Sequence, residues 1–344
     1  MRLNRLVNMV EAHAEGEIGR VITASPWNVP GKNVLEKMKY LNTVDDAFRK
    51  FCVLEPRGFS QMSTNLLLAA STSKADAAFL IMQGDKVHAM SGSNAMCVAT
   101  VLVEMGMVPV ITPVTNVRLE TPAGIILAKV AIKNAHASGV SIDMVPAFVE
   151  DLDVGLDIDG FGKIKCDIAF GGIYYALVDV SQLKKKITKE NARDLVEIGC
   201  CIHRQAKKVI KLNHPDNPLL NSISYIMFTG FNESGERVNA TVLPPGRLDR
   251  SPCGTGTAAR LVCELEKKTI KIGDKVDVYS VIGSRFSAIL NSVNESNLRS
   301  MANVTVSGRA WVFGFHQIGC DPQDPFINGH MLSDTWGNAL DLVE

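Results

Sequence analysis

Two short stretches carry side chains suited to moving protons. One reads MSGSNAM (Met90 to Met96) and the other SPCGTGTAA (Ser251 to Ala259). Each places Ser91 or Cys253 before a glycine, then a Ser or Thr, then an apolar run. Nearly half the chain separates them, which suggests two similar halves, each presenting one reactive side chain. A helix N-terminus has free N–H groups and a partial positive charge, so it binds a carboxylate without Lys or Arg. It also lowers the pKa of a cysteine placed there. Two such ends facing each other would grip one carboxylate and set Ser91 and Cys253 on opposite faces of its α-carbon. That geometry suits taking a proton from one face and returning one to the other. Either motif alone reads equally well as the N-cap of a core helix; the matched pair is what points to a site.

The elements that must position these residues follow from periodicity. The runs from about Ser93 to Met105 and from about Thr255 to Lys268 read as buried helices, apolar over most of their first turns. A third helix, about Lys189 to Lys211, is amphipathic and charged, as for a surface. Strands are predicted at Phe79–Met82, Val117–Leu119, Gly124–Ile132, Ile173–Val180, Tyr225–Thr229, Arg237–Val242, Lys275–Val281 and Val304–Phe313. The segment Asn134 to Val145, small and polar in its first half, is the predicted junction between domains.

Composition bounds the rest. With 344 residues, two domains are expected. Lys+Arg 36 balances Asp+Glu 36, so no electrostatic footprint for nucleic acid or an anionic membrane exists. No apolar run is long enough for a membrane helix; Glu104 interrupts the nearest. Arg2 and Arg5 precede only a short apolar run before Glu11, Glu15 and Glu17, so no secretory signal is read and a cytoplasmic protein is expected. The eight cysteines form no CxxC pair. Cys200, Cys201 and His203 lack a second ligand cluster, so buried helical thiols are expected there and no metal. Trp311 and Trp336 read as packing residues.

The string RLDRSPCGTGTAAR (Arg247 to Arg260) strongly resembles the second catalytic motif of the proline racemase family. MSGSNAM resembles the first, where racemases carry Met-Cys-Gly-His-Asn. Further landmarks in the right order are EAHAEGE (Glu11 to Glu17), EPRG (Glu55 to Gly58), FGGIYYALVD (Phe170 to Asp179), FTGF (Phe228 to Phe231) and GFHQIGCDPQDPF (Gly314 to Phe326). The resemblance implies an α/β fold of two similar domains, each a mixed sheet wrapped round a central helix, like diaminopimelate epimerase. The domains would be 1–136 plus 315–344, carrying Ser91, and 137–314, carrying Cys253, with the site in the cleft between them. It implies no cofactor, a small imino acid substrate and a homodimer. Ser91 and Cys253 take the two acid/base positions. The amides at Gly92, Ser93, Gly254 and Thr255 take the carboxylate, and Asp249 takes the cationic ring nitrogen, each charge favouring the other.

This sequence departs from the racemases at Ser91 and Ser93, which replace Cys and His. A serine hydroxyl is a far poorer base than a thiol, which disfavours plain proline racemisation. Members with a Ser–Cys pair resemble the hydroxyproline-processing branch. The expected reaction is dehydration of trans-3-hydroxy-L-proline to Δ1-pyrroline-2-carboxylate, because one side chain can take the C2 proton and hand it to the departing hydroxyl. The alternative is 4-hydroxyproline 2-epimerase, alone or as a second activity, and behind it a non-catalytic imino-acid-binding homologue. Family logic makes Ser91 the base for an L-substrate, and His13 is the candidate for activating it. Ser63 and Leu243 stand where racemases carry pocket aromatics, and Ser63 with Asn65 is a candidate receiver of a substrate hydroxyl.

Overall fold

The computed structural model describes residues 4–332 apart from 26, 60, 216, 219, 245 and 296–299. Trp336 therefore lies outside the described residues. Among the described residues, five α-helices sit among nineteen strands joined into one mixed sheet: α1 Val34–Thr43, α2 Ala47–Val53, α3 Gly92–Glu104, α4 Ala192–Val209 and α5 Gly254–Glu266. This is the mixed α/β fold that the resemblance implies.

Two of these helices organise everything else. In α3 every residue from Gly92 to Val103 is buried, and in α5 every residue from Gly254 to Cys263. A helix that is apolar all round must be enclosed by other elements. Strands Asn4–Ala14, Gly124–Lys133, His136–Asp143 and Ala310–Cys320 pack on α3; strands Phe148–Ile158, Gly162–Phe170, Arg285–Glu295 and Ser300–Gly308 pack on α5. By contrast α4 buries only a stripe, Leu195, Ile198, Gly199, Ile202 and Ala206, at the spacing of one helix face. Cys200 and Cys201 flank that stripe and are half-buried rather than fully buried.

The two halves repeat one pattern. Before and after α3, Arg20–Ala24 pairs parallel with Thr64–Leu68, which pairs antiparallel with Ala77–Met82, which pairs parallel with Val114–Thr121. Before and after α5, Tyr174–Asp179, Ile223–Phe231, Arg237–Leu243 and Lys275–Ser280 pair in the same alternation. In each half a two-residue strand, Val87–His88 or Arg247–Leu248, folds back on the preceding strand and feeds the buried helix. The internal similarity read from the two motifs is thus a similarity of strand–turn–helix units.

Two segments take a form the sequence did not show. The segment Asn134 to Val145, read as a junction between domains, contains a strand: His136–Asp143 pairs with Gly124–Lys133 on one side and Ser300–Gly308 on the other. Its alternating burial, Val140 and Ile142 in, was masked by Ser, Gly and His at the intervening positions. The predicted strand Val304–Phe313 is two strands, Ser300–Gly308 and Ala310–Cys320, turning at Arg309. The second of these pairs antiparallel with Asn4–Ala14, so the far end of the chain returns to the first half. No helix among the described residues is long and apolar enough to cross a membrane.

Candidate active site

The helix tips meet. A Cβ built on Gly92 would lie 3.0 Å from Cα of Gly254, and one built on Gly254 would lie 2.9 Å from Cα of Gly92. Only glycine permits backbones to come this close. The first N–H groups of each helix, at Gly92 and Ser93 and at Gly254 and Thr255, cannot bond within their own helices. Two partially positive ends in contact repel unless an anion lies between them. A small cleft, partly open to solvent, lies at this meeting point. Its lining includes Ser91, Ser93, Asp249, Cys253, Gly254 and Thr255.

Ser91 is the N-cap of α3 in extended conformation. Its Oγ accepts from Asn94 Nδ2 at 2.9 Å and lies 3.2 Å from Ser93 Oγ. Cys253 is the N-cap of α5 and has φ of 67°, a left-handed value that is costly for any residue with a Cβ. Such strain is of order 1–3 kcal/mol. It is held by Ser251 Oγ, which accepts from the Cys253 N–H, and by Asn239 Nδ2, which donates to the Pro252 carbonyl. Cys253 lines the cleft. Tyr175 Oη lies 3.2 Å from Sγ and 2.6 Å from Thr255 Oγ1.

The charge balance at Cys253 reverses a sequence expectation. A helix N-terminus lowers a thiol's pKa, but here burial dominates, and with Asp249 nearby it pushes the thiol up to about 12. The Tyr175 hydroxyl and the Gly256 N–H oppose this without overcoming it. Asp249 is itself buried, and burial together with Glu17 raises its carboxyl well above the usual range. Ser251 donates both its N–H and its hydroxyl to Asp249 Oδ1 at 2.8 Å. Glu17 reaches across from the first half, forms a 2.7 Å ion pair with buried Arg247 and accepts from the Arg250 N–H.

The remaining sequence candidates lie elsewhere. His13 is absent from the cleft lining. Its Nδ1 accepts from Gly16 N–H in a turn, and its ring stacks on Trp311 at 5.0 Å. Ser63 and Asn65 are fully buried one layer behind the wall. Ser63 Oγ accepts from Gln83 Nε2 at 3.1 Å, and Asn65 Nδ2 donates to Asn94 Oδ1 at 2.8 Å. The wall itself holds residues to which the motifs gave no role: Glu17, Gln83, Met90, Tyr175 and Tyr225, together with Leu243. Glu17 and Tyr175 fall inside two of the family landmarks, which was the available signal. Gln83 and Tyr225 sit in strand-end positions with none.

Residues 9–331 match the family described as proline racemase. The chain belongs to the proline racemase family. It is 41% identical over 346 residues to a 4-hydroxyproline 2-epimerase of Allorhizobium ampelinum, covering 100% of both chains. It is 40% identical to another of Agrobacterium fabrum, covering 98% of each. A crystal structure of a hydroxyproline epimerase from Agrobacterium vitis, with bound trans-4-hydroxy-L-proline, superposes with a TM-score of 0.94 at 41% identity, covering 99% of this chain and 100% of that one.

These proline racemase family relatives overturn the expected dehydration of trans-3-hydroxy-L-proline, because they are named as epimerases and none of them as a dehydratase. The preference for a lyase took Ser91 as an unassisted alcohol. In the fold its Oγ accepts from Asn94 Nδ2 at 2.9 Å, at the positive end of α3. A Ser–Cys pair then no longer argues by residue type alone against proton transfer on both faces.

Proposed function

We propose that the chain interconverts the C2 epimers of 4-hydroxyproline by proton transfer on opposite faces. The observation that carries this is the contact of the two helix tips at Gly92 and Gly254, with Ser91 and Cys253 as their caps. In this reading the substrate carboxylate lies between the tips and accepts from the free N–H groups. Ser91 or Cys253 takes the C2 proton, and the C–H electron pair moves into the carboxylate to give an enediolate. The helix N-termini stabilise that charge as it grows. The opposite group then gives its proton to C2, and the pair returns to carbon with inverted configuration. Burial that disfavours the Cys253 thiolate also makes it a stronger base once formed. The direct test is incubation with trans-4-hydroxy-L-proline in deuterated water. Deuterium at C2 with formation of the other epimer is expected; absence of both would sink the proposal.

Asp249 takes the ring ammonium in this reading. Its raised pKa gives the sign of a pH effect: the carboxylate binds the ammonium and the neutral acid does not, so affinity is lost as pH falls through the raised value. KM for 4-hydroxyproline is expected to climb as pH is lowered through neutrality. Asp249→Asn is expected to raise KM about 100-fold, since a buried charge loses its partner, and to flatten that pH dependence. Steady-state KM at several pH values checks both.

With carboxylate, ammonium and C2 assigned, we place the ring hydroxyl against Gln83 and Tyr225, two uncharged polar residues of the wall. Tyr225 Oη donates to Gln83 Oε1 at 2.8 Å, linking the two halves, and Ser63 supports Gln83 from behind. Because these groups already satisfy each other, substrate lacking the hydroxyl leaves little unpaired. Discrimination against plain proline is therefore expected to be moderate, about 10- to 100-fold in kcat/KM. Gln83→Leu is expected to remove most of that preference, measured as the ratio of C2 exchange rates for 4-hydroxyproline and proline.

A further inference from the structure

We propose that Asn65 and Asn94 form a directional relay that stabilises Ser91 Oγ as an alkoxide, which is how an unassisted alcohol serves as one of the two proton-transfer groups. This rests on the epimerase reading above.

The direction of the relay is set by a single backbone carbonyl. Asn65 Nδ2 donates to the carbonyl oxygen of Arg20 at 3.2 Å. A carbonyl only accepts, so the amide nitrogen of Asn65, not its oxygen, must face that way. The same nitrogen donates its second N–H to Asn94 Oδ1 at 2.8 Å. The oxygen of Asn94 therefore faces Asn65, and its Nδ2 faces Ser91 Oγ at 2.9 Å. Neither amide can flip without losing a bond. Both residues are enclosed, Asn65 at 0% exposure and Asn94 at 1%. Asn65 Oδ1 finds no partner among the described residues. The arrangement thus saturates the orientation of Asn94, not its own hydrogen-bonding capacity.

The consequence at Ser91 is specific. Its oxygen is an acceptor from a fixed donor, with the longer 3.4 Å bond from the Asn94 amide N–H adding to it. Its proton is left to point toward Ser93 Oγ or the cleft. When the Ser91 O–H bond breaks, its proton forms the new C–H bond at C2, and the enediolate pair closes onto C2. The alkoxide that remains is held by Asn94 Nδ2–H at the positive end of α3. In the opposite direction that alkoxide takes the C2 proton and becomes the alcohol again. A neutral donor aimed at developing charge helps the charged state far more than the neutral one. Asn65 and Asn94 are positioning residues: they take no proton. The role the sequence left to His13 is filled by two amides.

The test uses Asn65→Leu, similar in volume and outside the cleft wall, and Asn65→Asp, which can accept but not donate. Each is compared with the full-length wild-type chain on trans-4-hydroxy-L-proline. Both are expected to lower kcat about 100-fold, with KM changed by less than about 3-fold. The same Asn65→Leu change in a Ser91→Cys background is expected to lower the rate less than about 3-fold, because a thiolate needs far less assistance than an alkoxide. Circular dichroism melts report folding separately. A kcat within about 3-fold of wild type in folded Asn65→Leu, a change confined to KM, or an equal loss in the Ser91→Cys background overturns the relay. Wild-type chain that exchanges proline but not 4-hydroxyproline defeats the substrate reading alone; the same comparison on proline then decides the relay.

Discussion

Cys253→Ala is expected to abolish epimerisation of trans-4-hydroxy-L-proline, with a loss of at least about 10³-fold in kcat, a size typical for removal of a group that acts in the chemical step. In the proposed reaction Sγ exchanges a proton with C2, and Cys253 lines the cleft. Tyr175 Oη lies 3.2 Å from Sγ, but it is fully enclosed and bonded to Thr255, and burial holds its own pKa well above the usual range. The substitution leaves a small gap, so folding should be little affected. It also leaves the free N–H groups and Asp249 in place, so binding of the imino acid should persist. The expected signature is therefore undiminished affinity, read by calorimetry, without deuterium entering C2. Near-normal turnover would show that Cys253 is not one of the two proton-transfer groups.

How far the sequence carried toward this site depended on whether each signal was local. The two motifs were legible because a helix start writes itself into adjacent residues: cap, glycine, small polar residue, apolar run. The buried character of α3 and α5 was legible for the same reason, since neither has a charged face in its first turns. Helices α1 and α2 were not read, being short and set in mixed-polarity sequence. The strand His136–Asp143 was not read because its identity comes from neighbours on both sides, not from its own residues. At the site, the failures are all of that second kind. Gln83 has meaning only because Tyr225 and Ser63 approach it from distant strands. The acidity of Cys253 depends on enclosure by the fold, which outweighs the local helix end that the motif displays. The expected lyase followed from judging Ser91 by residue type, without the Asn94 donor that the fold sets against it.

Gly254→Ala tests the physical premise on which every role above depends. Its methyl group would sit 2.9 Å from Cα of Gly92, closer than real Cβ contacts come, and the obstacle is backbone that has no rotamer to yield. The helix tips must then separate. Overpacking of this kind costs about 1–3 kcal/mol, which a chain of this size can survive with a lowered melting temperature. The functional cost is expected to be larger, at least about 10³-fold in kcat/KM, because misplacement by an ångström already costs about 10²-fold in a positioned reaction, and here both the carboxylate clamp and the Ser91-to-Cys253 span widen together. Gly92→Ala is expected to do the same from the other side, since its methyl meets Gly254 at 3.0 Å. Because both substitutions disturb one contact, their effects should not add: the first opens the gap, and the second then meets less resistance. Thermal melts and kcat/KM for the two single variants and the double variant decide the matter. A folded Gly254→Ala chain with wild-type kcat/KM would mean that the two helix ends do not act on one substrate.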